Sequence, residues 1–141
     1  MKNTKIFIKL VSKEKEPFDV GPEVILMSNF LKNIYKEFKN KKLQILVIPL
    51  FNIEAKVLAK IIEYCKFENM IFKKNNHINV EPYKNCSWTK DFLKINKHMI
   101  IPIIKAASYL DIENLLYCST QILADSFLKK NAYQLSLYIL S

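Results

Sequence analysis

Glycine is nearly missing from this chain: its 141 residues include one, Gly21. A phosphate-cradling P-loop, a Rossmann turn and an EF-hand loop each need glycine at fixed places, because the backbone there takes positive φ or approaches a ligand closely. All three are therefore excluded. The same scarcity argues for a helix-rich chain with few tight hairpins. Arginine is absent altogether, so all 22 basic residues are lysine, against 13 acidic ones and a net charge of +9. Guanidinium is the group that reads guanine edges and phosphates bidentately, so the charge reads as solvated lysine surface and argues against a nucleic-acid partner. The three cysteines, Cys65, Cys86 and Cys118, are widely spaced with no Cys-x-x-Cys pair. That fits a reducing compartment, and no spacing joins them with His77 and His98 into a metal site.

Long apolar runs are missing too. The longest stretches, around Leu43–Phe51 and Met99–Ile104, fall far short of a membrane span, and the opening MKNTKIFIKL lacks a signal peptide's apolar core and cleavage site. A soluble protein of the cytoplasm and nucleus is expected, with no membrane partner. Only four aspartates are present. No serine sits in a nucleophile elbow, no zincin helix occurs, and Cys86 or Cys118 with a distant His98 has no local support as a nucleophile–base pair. The expectation is a protein without catalytic residues, metal or cofactor.

What is present is a patterned globular chain, half hydrophobic and one quarter charged. Ile6–Val11 reads as a strand, Ser12–Glu16 as a polar turn and Phe18–Val20 as a returning strand closed by Gly21-Pro22. From Glu23 to Phe38 apolar residues recur at helical steps, giving one helix or two broken near Ser28-Asn29, where a new cap fits. The charged run Lys36–Lys42 is expected as loop, Leu43–Ile48 as a third strand ended by Pro49, and Asn52 as the cap of the next helix. In that helix Val57, Leu58, Ile61, Ile62 and Cys65 form one stripe. Glu68–Asn85 has weak periodicity and is expected as a long surface loop. Trp88–Ile95 is a short helical turn. Asn96 is expected to cap a helix to Tyr109, which either starts late or bends at Pro102. Asp111 is expected to cap a helix through Leu128, and Asn131 a last one, Ala132–Leu140. The fold class is α+β, a small three-stranded sheet packed with helices.

Two stretches go beyond generic pattern: IPLFNIEAKVLAKIIEYC, Ile48 to Cys65, and WTKDFLKINKHMIIPIIKAASYLDIENLL, Trp88 to Leu116. Together with the opening IKLVSKEKEPFDV they resemble the S-phase kinase-associated protein family, the small adaptors of SCF ubiquitin ligases. The related elongin C chain is a weaker match. The resemblance implies a BTB/POZ fold plus a helical extension, divided here into a cullin-binding domain, 1–110, and an F-box-binding extension, 111–141. It implies two protein partners, a cullin scaffold and an F-box receptor, held together so that tethering raises effective concentration. By motif, Ser108 and Tyr109 fall at the family's cullin-contact pair, with Pro49 and Phe51 adding to that surface. Ile100, Ile101, Ile104, Leu116, Ile122, Leu123, Phe127 and Leu135 match receptor-side positions. Trp88 is expected in the core.

The chain departs from the family pattern in several places. Ser108 stands where the family usually has asparagine, KEFKNKK replaces an acidic loop, and Pro102 replaces a regular helix former. Two further helices that usually close the F-box clamp do not follow. A divergent paralogue that binds a cullin but no F-box protein, a basic nucleic-acid binder and a self-associating homodimer are the competing readings.

Overall fold

The computed structural model describes residues 6–39, 44–74 and 87–140. Three strands form one sheet in the order β2-β1-β3: β1 (Phe7–Val11), β2 (Pro17–Val20) and β3 (Ile45–Pro49). β2 runs antiparallel to β1 with Ile8 opposite Val20, and β3 runs parallel to it with Ile8 opposite Leu46. The shared register puts Ile8, Leu10, Val20, Leu46 and Ile48 on one buried face, as period-two alternation requires. Ile45 and Val47 stand outward, each more than half exposed.

Helices cover the buried face. α1 (Pro22–Ile25) starts with proline in its first turn, where the missing N–H is not needed. α2 (Asn29–Lys39) comes after a break at Ser28. The buried Ser28 hydroxyl accepts from the Leu31 N–H at 3.1 Å, the cap expected for a new helix there. The charged run expected as loop is helical as far as Lys39.

α3 (Ala55–Lys74) carries the deepest stripe: Val57, Leu58, Ile61, Ile62, Tyr64 and Cys65 are all buried. It starts at Ala55, three residues after Asn52. The Glu14 carboxylate of the β1–β2 turn reaches across to accept the Ala55 N–H at 2.8 Å. This satisfies one of the orphan donors of the first turn, so the end is closed from a distant segment and not by a local cap. α3 also continues through Glu68–Lys74, part of the expected loop; the remainder of that loop, 75–85, lies outside the described residues. The physical reason is the aromatic packing of Phe67, which stacks on Trp88 at 3.7 Å between ring centroids and gives the turn tertiary support.

α4 (Ser87–Ile95) ends at Asn96, whose side-chain amide donates back to the Phe92 carbonyl at 2.8 Å. Asn96 therefore closes α4 and does not cap the next helix. A 3-10 turn, Lys97–Met99, leads into α5 (Ile100–Leu110). Pro102 sits in the first turn of α5, so the helix starts late, one of the two expected alternatives, and no interior hydrogen bond is lost.

Asp111 ends α5 in the left-handed conformation, φ 54°. It is a helix stop, not the expected start of the next. The usual residue for that conformation is glycine, and aspartate is one of the few others that tolerate it. Gly21, by contrast, is extended at φ −103° and ψ −177°, as a residue before proline tends to be. α6 (Glu113–Leu140) is one helix of 28 residues, not two. Asn131 lies inside it, and with no glycine or proline between Glu113 and Leu140 nothing in the sequence breaks the ladder.

Candidate partner-binding surfaces

The first surface is built at the α5–α6 corner. Ser28 does double duty there: while capping α2, its hydroxyl also donates to the Leu110 carbonyl at the end of α5. Asn29 reinforces the same junction. Its backbone N–H donates to the Asp111 carbonyl at 3.1 Å, and its side-chain amide donates to the carboxylates of Asp111 and Glu113 at 3.1 and 3.2 Å. The start of α2 is thus clamped onto the turn between α5 and α6. That clamp positions Phe30, which packs against Tyr109 with ring centroids 4.9 Å apart and a 48° tilt. Tyr109 is 44% exposed, so one side of its ring is held by Phe30 while the other faces solvent. An amphipathic ring held in one orientation loses little freedom when a partner covers it. Ser108 is exposed beside it.

Helical geometry groups the rest of α5. Ile101, Pro102, Lys105, Ser108 and Tyr109 are exposed, and Ile103, Ala106, Ala107 and Leu110 are buried. Ile101 and Ser108, seven residues apart, lie on one stripe. Ile101 therefore shares the face of Ser108 and Tyr109, whereas Ile100 and Ile104 sit half-buried on the edge of that face. Across from Ile101, Pro102 and Lys105 stand Asn52, Ile53, Glu54 and Val57, and the two walls enclose a cleft of about 240 Å³. The turn supplying the second wall is pinned by hydrogen bonds from Leu50 N–H to the Val11 carbonyl and from Lys13 N–H to the Ile53 carbonyl. Pinning leaves Pro49 and Phe51 exposed beside buried Leu50 and Ile53. The cleft residues Asn52, Ile53, Glu54, Val57 and Lys105 were not singled out from the sequence as a site. Only the adjacency of α3 and α5 brings them together.

The second surface is α6. Its root is locked into the body: Ile112, Asn114, Leu115, Cys118 and Ser119 are buried. The lock is polar as well as apolar. Asn114 donates its amide to the Tyr64 hydroxyl at 2.6 Å. Burial pushes the Tyr64 phenol well above the usual tyrosine range, reinforced by the nearby Glu68 carboxylate. Burial likewise raises Glu68 from 4.5 to about 7, partly offset by the hydrogen bond it takes from Tyr64. The Glu68 carboxyl, the Tyr64 phenol and the Asn114 amide thus bridge α3 to α6 in series. Burial also pushes the Cys65 thiol upward, which makes it a poor nucleophile. Trp88 packs here, within 5.6 Å of Tyr64 and 5.3 Å of Phe92. It is half-buried against the core, as expected for a packing residue.

Beyond Ser119 no described side chain of α6 is buried. The helix runs out from the body for about 30 Å, at 1.5 Å per residue. Leu116 and Ile122 still pack on the core and Leu123 is half-buried, whereas Phe127, Leu128, Tyr133, Leu137 and Ile139 are each more than half exposed. Leu135 belongs to the same helix, but its side chain lies outside the described set.

Residues 6–70 match the family described as "Skp1 family, tetramerisation domain". The chain is 32% identical over 118 residues to SKP1-like protein 11 of Arabidopsis thaliana, covering 84% of this chain and 72% of that relative. The chain belongs to the Skp1 family. Other Skp1 relatives include the suppressor of kinetochore protein 1 of Schizosaccharomyces pombe, 28% identical over 77% of this chain and 69% of its own length. The SCF ubiquitin ligase complex protein SKP1b of Dictyostelium discoideum is 27% identical over 84% of this chain and 73% of that relative. The three-stranded sheet and its covering helices are those of a Skp1-type POZ fold. Among the described residues, no group of three or more histidine, cysteine or acidic side chains is placed to hold a metal ion, and no helix is long and apolar enough to cross a membrane.

Proposed function

We propose that this chain is an adaptor subunit of an SCF-type ubiquitin ligase, bridging a cullin scaffold and an F-box receptor in the cytoplasm and nucleus. One observation carries the reading: the chain presents two differently built exposed surfaces, one at the α5–α6 corner and one along α6. The corner surface, Ser108 and Tyr109 with the Pro49–Phe51 turn beside the cleft, suits a preformed docking face. The protruding α6, with Leu116, Leu123 and Phe127 along one flank, Ile122 turned toward the core, and Ile100 and Ile104 on α5, suits a helical ligand laid along it. Its apolar side chains are too exposed to contribute much to the chain's own stability, and contiguous exposed apolar surface of this kind marks an interaction site. An adaptor of this type carries no catalytic group of its own. Its contribution is to hold a receptor's cargo near a scaffold, which raises the local concentration of the reacting partners.

The test uses two single substitutions with opposite readouts. Tyr109→Lys is expected to abolish co-elution with a cullin N-terminal domain while retaining an F-box peptide. Phe127→Lys is expected to do the reverse. Loss of neither complex, or of both together, defeats the two-surface assignment. Failure of the unaltered chain to retain either ligand defeats the adaptor reading itself. Tight F-box binding by the unaltered chain removes the alternative of a paralogue that engages only a cullin.

A further inference from the structure

The free side of β3 takes no part in the proposed function. β3 ends the sheet order β2-β1-β3, and among the described residues no strand pairs with its other side. The parallel register fixes which of its backbone groups face that side. Phe7 N–H donates to the Gln44 carbonyl at 2.8 Å, and Leu50 N–H to the Val11 carbonyl at 2.7 Å. Gln44, Leu46, Ile48 and Leu50 therefore direct their peptide groups at β1, and Ile45 and Val47 direct theirs at the open edge. Two N–H and two C=O groups stand there in a row, one strand repeat of about 7 Å apart. Pro49 closes the row of donors, because it has no N–H.

The side chains of the same two residues stand on the outer face of the sheet. Ile45 is 56% and Val47 53% exposed, and the register sets Ile45 beside Phe7, also 56% exposed. Charged side chains are one of the devices that blunt an edge, and β3 carries none. Its β-branched residues suit a pleated neighbour. A helix cannot use such an edge, since its own backbone groups are already bonded to one another. An extended chain can, with its backbone on the edge and alternate side chains on the face.

Charge chooses among extended chains. Residues 5–11 and 39–49, which form β1 and β3 and lead into them, hold Lys5, Lys9, Lys39, Lys41 and Lys42 and no acidic residue. Asp19 pairs with Lys9 at 3.8 Å, but from β2, on the far side of the sheet. A second copy added edge to edge would set these lysines against their own kind, whereas an acidic segment is complementary to them. We propose that β3 is the receiving edge for an extended acidic segment of a partner protein. The segment adds as a fourth strand, bonded to Ile45 and Val47, with its apolar side chains over Phe7, Ile45 and Val47 and its carboxylates matched to the lysines. Four backbone groups support a strand of about five residues, so the contact alone is weak. The inference does not depend on the proposed function, which uses neither Ile45 nor Val47.

The test titrates the intact chain with a capped seven-residue peptide of alternating glutamate and valine, read by amide hydrogen exchange. Binding at roughly 0.1–1 mM is expected, weakening as salt is added. Exchange is expected to slow at the Ile45 and Val47 amides and to stay unchanged at Leu46 and Ile48, which already bond to β1. The same peptide with lysine in place of glutamate is expected not to bind. Val47→Glu is expected to weaken binding more than about tenfold, and Val47→Lys, which loses the same apolar contact but keeps the favourable sign, by less. Val47 is half exposed, so both variants keep the fold, which circular dichroism checks. No binding at millimolar peptide overturns the proposal, as does protection that bypasses Ile45 and Val47, or equal binding of the lysine peptide. Protection of these two amides that rises with protein concentration in the absence of peptide makes a second copy the occupant and overturns it as well.

Discussion

The body of the protein and its protruding helix are built from the same kinds of residue and put them to opposite uses. In the body, Leu10, Leu58, Leu93 and Leu110 are sealed to within 1% of full burial. In α6 beyond Ser119, Leu128 and Leu137 are more than half exposed, and Leu123 is half-buried. Apolar content alone therefore does not say where the core is. What distinguishes the two regions is whether other elements supply a second wall. α3 is faced by α1 and α5, whereas past Ser119 no described side chain of α6 is buried. The apolar surface that the body buries on folding is, in the outer part of α6, left exposed.

The sharpest way to break this comparison is a pair of matched truncations. Leu58→Ala in the body is expected to cost about 3 kcal/mol in urea unfolding, the usual loss for a sealed leucine. Leu137→Ala in α6 is expected to shift unfolding by no more than about 0.5 kcal/mol. Equal losses would show that α6 is packed after all.

A smaller effect tests the corner. Ser28→Ala removes both the α2 cap and the donor to the Leu110 carbonyl, with an expected cost of about 1–2 kcal/mol. Because the same clamp sets Phe30 under Tyr109, cullin affinity is expected to fall further than stability explains. Unchanged affinity would separate the clamp from the surface.

A third test is pH-dependent. Glu68 holds its proton more tightly in the folded state, at about 7 against an ordinary 4.5. The folded chain therefore binds more protons in that window, and its stability falls as pH rises from about 4.5 to about 7. Glu68→Gln, which stays neutral, is expected to flatten that slope and to be the more stable form above pH 7. A slope identical to the unaltered chain's would mean that the carboxyl is not buried against Tyr64.

Much of this architecture could be read in advance because it is local. The three strands, the Ser28 cap and the Val57–Cys65 stripe each arise from neighbouring residues. The α5–α6 corner could be read as motif. What escaped prediction was tertiary. Asn52, Asp111 and Asn131 all have cap chemistry, yet Glu14 closes the α3 end from another turn, Asp111 stops one helix instead of starting the next, and Asn131 is simply carried along inside α6. The helical turn around Phe67 has weak sequence periodicity and is held by a ring stacked on it from α4. The cleft beside Ile101 likewise exists only because two elements distant in sequence are neighbours.

The anchoring of α6 has a mechanical corollary. The arm is aimed by a short pivot, Ile112 to Ser119. A tilt of about 5° there swings the far end by nearly 3 Å over the arm's ~30 Å length. The amide of Asn114 on the phenol of Tyr64 sits at that pivot, so this one hydrogen bond acts as the sighting screw for the whole arm.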